Sequence, residues 1–445
     1  MANTGPVPES GGRNAGRDPR NLIDLPRSPF LSYYRRQLSQ AGASPGASFP
    51  HKIGAFLSKH LFIWAWNYLK YLFQPKHRLL DYTDSSGEKG VYLLQPAYAS
   101  GASADLDAPI RVALAGDWGT GTAEAEQVAE NIRDFRPHYT IHLGDVYYVG
   151  DAEEVNENCL GVAGPYESVR AVRWPHGSVG SFAMNGNHEM YANGNAYFDL
   201  FLPSLGIPGS EEGRRYGQKA SFFCLQNQFW RIIALDTGYN SLGFPILEQI
   251  PVIRRIPGIA PTCKLPRASV DWLGSMVNPS VGDRSIVLLT HHEYFSAFDE
   301  EYPLPAKQLA KFINRPVLWF WGHEHRFAIY GKFGIPDGIQ AYGRCIGHGG
   351  FPVNQGQPVR NVNAPLVLHD DREYRVVEGT ALGYNGSANL TFQGNKLTVD
   401  YRDVRNRPLV EESWESRNGV LHGVSIRIVE PRLSLIASSP QLAIS

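Results

Sequence analysis

The sequence predicts an α/β fold on three observations: short apolar runs that each end in polar residues, a helical segment between the first two, and a chain long enough to bury a large core. Its 445 residues, 43% of them apolar, suffice for one large domain with an appendage or for two ordinary domains. Residues 111–115 (RVALA) form an apolar run that ends in Gly116-Asp117-Trp118-Gly119, as a buried parallel strand would. Thr122 then stands as an N-cap, and Ala125, Val128, Ile132 and Phe135 recur at helical spacing. Residues 139–143 (YTIHL) are a second apolar run, again followed by Gly-Asp. Strand–helix–strand places the two Gly-Asp turns side by side at the carboxyl ends of adjacent parallel strands. That edge is where open α/β sheets bind ligands.

The alternation continues along the chain. Residues 181–184 (SFAM) lead into Asn185-Gly186-Asn187-His188-Glu189, and 230–235 (WRIIAL) into Asp236-Thr237. Residues 286–290 (IVLLT) lead into His291-His292, and 317–321 (VLWFW) into Gly322-His323-Glu324-His325. Residues 244–267 carry five prolines and read as a long loop, expected at the rim of a pocket. Leu397, Val399 and Tyr401 alternate with polar neighbours, which suits a closing sheet edge. We divide the chain into a disordered tail over 1–50, a helical extension over 51–90, a main domain over 91–430 and a C-terminal tail over 431–445.

Composition bounds the partners. The formal net charge is −1, so there is no electrostatic reason to expect nucleic acid or long-range attraction to an anionic membrane. Four widely spaced cysteines form no CxxC pair, which argues against a disulfide framework or a thiolate zinc site. The first twenty residues lack the apolar stretch of a secretory signal, and a cytoplasmic protein is expected. Residues 53–73 are long enough to cross a bilayer but contain Lys59, His60 and Lys70. Charges near the centre of a span cost roughly 2.5–3.5 kcal/mol each. A helix packed on the main domain is preferred, with peripheral membrane contact through 53–73 as the alternative.

Hard metal ions take carboxylate, imidazole, amide and phenolate ligands from rigid strand ends. Asp117, Asp145, Tyr148, Asn187, His188, His291, His292, His323 and His325 all stand at such ends. A carboxylate such as Asp145 can bridge two ions about 3.5–4 Å apart, the separation used for in-line displacement at phosphorus. Each motif alone is weak, since a Gly-Asp at a strand end is often just a turn. Their order is the signal.

That order resembles the calcineurin-like metallophosphoesterases, whose signature runs Asp-x-His, Gly-Asp, Gly-Asn-His-Asp/Glu, His and Gly-His-x-His. The resemblance covers roughly residues 110–352 and implies a sandwich of two mixed β-sheets flanked by helices. Here the first motif reads Asp117-Trp118-Gly119, without its His, while Gly144-Asp145-Val146-Tyr147-Tyr148 matches Gly-Asp-x-x-Tyr. Loss of that His with gain of the Tyr is similar to the purple acid phosphatase variant. The resemblance implies Fe(III) held by Asp117, Asp145, Tyr148 and His325. It implies a divalent ion (Zn, Mn or Fe) held by Asp145, Asn187, His291 and His323. His188 would be the general acid, with Glu189 orienting it, and His292 would contact substrate. The expected function is hydrolysis of phosphate monoesters on a small phosphorylated substrate. The alternatives are a phosphodiesterase acting on nucleotides or lipid headgroups, and a metal-bearing membrane-docking protein. Among the other polar residues, His142 is expected in the core, Asp236 in a turn, Arg344 in a surface salt bridge, and Glu324 facing away from the metals. His348 falls after a strand and is not expected to line the pocket.

Overall fold

The computed structural model describes Tyr71 and residues 74–83, 89–96, 108–163, 171–208, 215–242, 261–377, 380–433 and 435–436. The expectations for the 1–50 tail, for all of 53–73 but Tyr71, and for most of the proline-rich loop lie outside the described residues.

Two large mixed sheets organise the chain. From edge to edge, the seven-stranded sheet runs Val420–Ile428, Pro408–Arg417, Lys396–Asp403, Gly386–Gln393, Ile110–Ala115, Tyr139–His142 and Gly180–Ala183. The last three are parallel; Gly386–Gln393 pairs antiparallel with Ile110–Ala115. The eight-stranded sheet runs Val91–Leu93, Phe223–Gln226, Trp230–Ala234, Ser285–Leu289, Val317–Trp321, Ala341–Ile346, Phe327–Phe333 and Leu366–His369. Its four central strands, Trp230–Ala234 to Ala341–Ile346, are parallel.

Side-chain alternation assigns each strand's two faces. Val112, Leu114, Ile141 and Phe182 of one sheet join Ile232, Val287, Leu289, Leu318 and Phe320 of the other in a single core between the sheets. The opposite faces are also covered. Ala113 and Ala115 pack against Val128, Ala129 and Ile132 of the helix Ala123–Phe135. Ile233, Leu288 and Trp319 pack against Val270 and Trp272 of the helix Arg267–Trp272. The result is a sandwich of two sheets with helices outside both, as expected from the sequence.

The helix Ala123–Phe135 begins where Thr122 predicts it: the Thr122 hydroxyl accepts from the Ala125 N–H at 3.2 Å. It ends at Arg136, which adopts a left-handed conformation. Leu397, Val399 and Tyr401 point into the core, so the C-terminal alternation does build sheet. It supplies four of the seven strands, more than an edge.

Two expectations change. Residues 74–83 are not helical; Pro75 lacks the N–H a helix needs and disfavours the helical region for Gln74. Arg344 is not at the surface. It is 1% exposed and pairs bidentately with Glu412, Nε to Oε2 and Nη2 to Oε1 both at 3.0 Å. Arg344 belongs to one sheet and Glu412 to the other, so the ion pair crosses the sandwich. Among the described residues no helix is long and apolar enough to cross a membrane.

Candidate metal centre

The carboxyl ends of the parallel strands deliver the polar residues to one place. Asp117 follows Ile110–Ala115, Asp145 follows Tyr139–His142, His291 follows Ser285–Leu289, and His323 follows Val317–Trp321. Asp117, Asp145 and His323 have φ of 57°, 72° and 62°. That left-handed region is disfavoured for residues with a Cβ, and such outliers gather at functional sites. Two glycines permit the close approach. A Cβ on Gly186 would fall 2.1 Å from Asp145 Oδ1, and one on Gly119 would fall 2.9 Å from Val146 Cα. The Gly119 position, where the wider signature has histidine, therefore has no room for a side chain on this backbone.

Two donor sets share one oxygen. In the first, the Tyr147 hydroxyl lies 2.6 Å from Asp117 Oδ1, 3.1 Å from Asp145 Oδ2 and 2.9 Å from His325 Nε2. In the second, His291 Nε2 lies 3.2 Å from the same Asp145 Oδ2 and 3.1 Å from Asn187 Oδ1. His323 Nδ1 lies 3.0 Å from that amide oxygen. One hydroxyl proton cannot serve two carboxylates and an imidazole together, so the first set holds more lone pairs than donors. A cation is the group that satisfies such a set. The carboxylates are buried, which makes an uncompensated pair of charges costly.

The tyrosine in this cluster is Tyr147, not Tyr148. Spacing alone leaves the two neighbours open, and the backbone decides between them. The Tyr147 N–H donates to the Gly119 carbonyl at 2.9 Å, which lays this residue against the loop carrying Asp117. Tyr148 packs beside it with Val149 and Phe351.

Electrostatics fit the same picture. Burial opposes charge on Asp145, but His291, His188 and His323 outweigh it and hold the carboxyl well below the usual range. Burial likewise opposes charge on His291, yet Asp145 raises it to about 9. A metal taking His291 Nε2 would displace a proton there, so uptake is expected to release protons. His291 Nδ1 lies 2.9 Å from the Leu143 carbonyl, which orients the ring with Nε2 toward the cluster.

The remaining predicted residues fall as follows. His188 is placed by a 2.6 Å contact of Nδ1 with the Tyr148 carbonyl, and its Nε2 lies 3.9 Å from Asp145 Oδ2. Glu189 does not orient it; its Oε2 accepts from the N–H groups of Asp145 and Gly186, at 3.2 and 3.0 Å. His292 is buried, with Nδ1 3.1 Å from Thr237 Oγ1 and its ring 4.5 Å from that of His323. At 2% exposure it has little surface to offer a substrate. Among the described residues, it forms with His291 and His323 one of two groups able to hold an ion; Asp117, Asp145 and His291 form the other. His142 sits in the core against Trp118 and Trp174, accepting one bond from the Gly144 N–H. Asp236 caps a turn, accepting from the Tyr239 N–H at 2.7 Å. Glu324 faces Arg326 at 3.4 Å, away from the cluster. Sequence reasoning missed Thr237 and Tyr147; only the second carried a signal, its place beside the predicted tyrosine.

His348 is fully buried beneath the site, and burial lowers its pKa to about 4 despite Asp370 nearby. A histidine held neutral in the fold but free to protonate when unfolded contributes stability above the unfolded pKa near 6.5, and loses it as pH falls toward 4. The expected loss across that window is on the order of 3 kcal/mol. His348→Gln should flatten the acid side of a Tm-against-pH curve; a curve parallel to the wild type's would refute this.

The family model described as calcineurin-like phosphoesterase matches residues 110–327. No curated protein matches the chain significantly. Among solved structures it is similar to "GAP50 the anchor in the inner membrane complex of Plasmodium", at 13% identity and a TM-score of 0.43 over 72% of this chain and 89% of that one. It is also similar to PhoD, at 14% identity and a TM-score of 0.44 over 75% of this chain and 74% of the other.

Proposed function

From the match of residues 110–327 to the calcineurin-like phosphoesterase model, we propose that the chain hydrolyses phosphate monoesters at a dinuclear metal centre of the purple acid phosphatase kind. The observation that supports this reading is the shared oxygen: Asp145 Oδ2 lies 3.1 Å from the Tyr147 hydroxyl and 3.2 Å from His291 Nε2. Asp117, Asp145, Tyr147 and His325 would hold Fe(III), since a phenolate stabilises ferric over ferrous iron. Asp145, Asn187, His291 and His323 would hold a divalent ion, Zn, Mn or Fe. When bound, the pair supplies Lewis acidity toward the phosphoryl oxygens and a water of lowered pKa as nucleophile.

The chain's own residues do the rest. His188 keeps Nδ1 on the Tyr148 carbonyl and turns Nε2 toward the cluster, where the protonated ring would give its proton to the leaving alkoxide. The Asp145 Oδ1 acceptor, 3.0 Å from the His188 N–H, ties that acid to the bridging carboxylate. Asn187 offers a neutral oxygen, which completes a ligand set without adding to its negative charge.

Assays of protein loaded with iron and zinc, using a monoester and a diester of one chromophore, test the reading. A monoester preference is expected; a diester preference of tenfold, about 1.4 kcal/mol in the barrier, would overturn it. Tyr147→Phe should bleach the visible tyrosinate–iron absorption, and Tyr148→Phe should leave it. The reverse result would return the ligand to Tyr148.

A further inference from the structure

The helix Ala152–Asn158 contributes nothing to the two donor sets, yet two of its side chains grip the loop that does. The Glu154 carboxylate accepts from three successive backbone N–H groups, those of Tyr148, Val149 and Gly150, the last two at 2.8 Å. Successive amides turned onto one anion form a concave nest. On the other side of that curve the Tyr148 carbonyl meets His188 Nδ1 at 2.6 Å. One turn further along the helix, the Asn158 amide donates to the Tyr147 carbonyl at 3.1 Å and to the Gly119 carbonyl at 3.3 Å. Asp151 caps the helix, accepting from the Glu154 N–H at 3.1 Å, so Glu154 projects from a fixed first turn.

We propose that Glu154 is a positioning residue that turns Tyr147 rather than Tyr148 toward the metal cluster and aims the His188 ring, by binding the amides of residues 148–150. Without the carboxylate, three amide hydrogens lose their acceptor, and the bonds of Tyr147 to Gly119 and Asn158 are left to hold one end of the curve. Both groups that depend on that curve, the Tyr147 hydroxyl and the Tyr148 carbonyl, then lose their aim together. The catalytic part of this inference rests on the function proposed above; the structural part does not.

Glu154→Ala and Glu154→Gln in the full chain test it, with Gln retaining one acceptor oxygen. In metal-free protein, hydrogen exchange across residues 148–150 should quicken at least tenfold in the Ala variant and less in the Gln variant, while exchange in the strand Ile110–Ala115 stays at the wild-type rate. In protein loaded with iron and zinc, the tyrosinate band should shift or weaken and kcat should fall by about 10–100-fold, the effect expected of residues that orient ligands, with KM within about twofold. Wild-type exchange at 148–150 in both variants, or an unchanged band and kcat, would overturn the proposal. Should the Ala variant not fold, the Gln variant carries the same readouts. If the wild type itself takes up no metal and hydrolyses nothing, the proposed function falls, and amide exchange still decides whether Glu154 holds the loop.

Discussion

Asp145→Asn is expected to lower kcat/KM by at least ~10³-fold, about 4 kcal/mol in the barrier, and to leave the protein with fewer than two tightly bound ions. Asparagine is the informative replacement. Position 145 has φ of 72°, and asparagine tolerates that conformation better than other non-glycine residues. The backbone and the side-chain shape are therefore kept while the charge is removed. Asp145 is also where the two donor sets meet, with Oδ2 facing both Tyr147 and His291 and Oδ1 accepting from His188 N–H. An amide is a poor bridge between two cations, because it carries no charge, and with its oxygen at the bridge its NH2 group cannot accept from the His188 N–H. Metal analysis and steady-state kinetics on one preparation check the result, and thermal unfolding of the metal-free variant separates lost chemistry from lost fold. Two ions and undiminished turnover would mean that Asp145 does not bridge.

The second large effect is on stability. Glu412→Ala should destabilise the protein by about 3–5 kcal/mol, because it strands the Arg344 guanidinium in the interior. Arg344 is held by Glu412 at two 3.0 Å contacts and by the Tyr330 and Gly343 carbonyls. Glu412 also accepts from the Trp414 indole at 3.1 Å and the Tyr401 hydroxyl at 3.3 Å, so its loss leaves several donors unsatisfied. Replacing both charges, as in Arg344→Met with Glu412→Leu, should recover most of the loss, since a buried pair seldom outweighs its own desolvation. Denaturant unfolding of the single and double variants measures this. A single variant within about 1 kcal/mol of wild type would show that water reaches Arg344.

How much of this was legible in the sequence depended on whether a residue's role is local. Apolar runs ending in Gly-Asp, His-His and Gly-His-Glu-His announced the parallel strands and the edge where they converge, because strand hydrophobicity and turn chemistry are both written locally. The alternation at Leu397, Val399 and Tyr401 likewise announced sheet. Partner identity across the sheets was not local. Nothing near Arg344 indicates that Glu412 lies opposite, so an arginine in that strand read as a surface residue. The choice between Tyr147 and Tyr148 is not local either. Motif spacing counts residues, whereas the Gly119 carbonyl and the helix Ala152–Asn158 determine which phenol turns inward. Within the extension expected to be helical over 51–90, residues 74–83 are not, and Pro75 is the local signal for it.

The order of strands has a consequence for how this protein is made and cut. The strand leading to Asp117 lies mid-sheet only because Gly386–Gln393 pairs with it, and that partner arrives some 270 positions later. During synthesis the strand is therefore an open edge until Gly386–Gln393 emerges, with unpaired amides and carbonyls available to any passing β segment. A fragment trimmed to the matched span 110–327 would keep Asp117, Asp145, Asn187, His291, His323 and His325 yet expose that edge permanently, and should aggregate rather than turn over substrate.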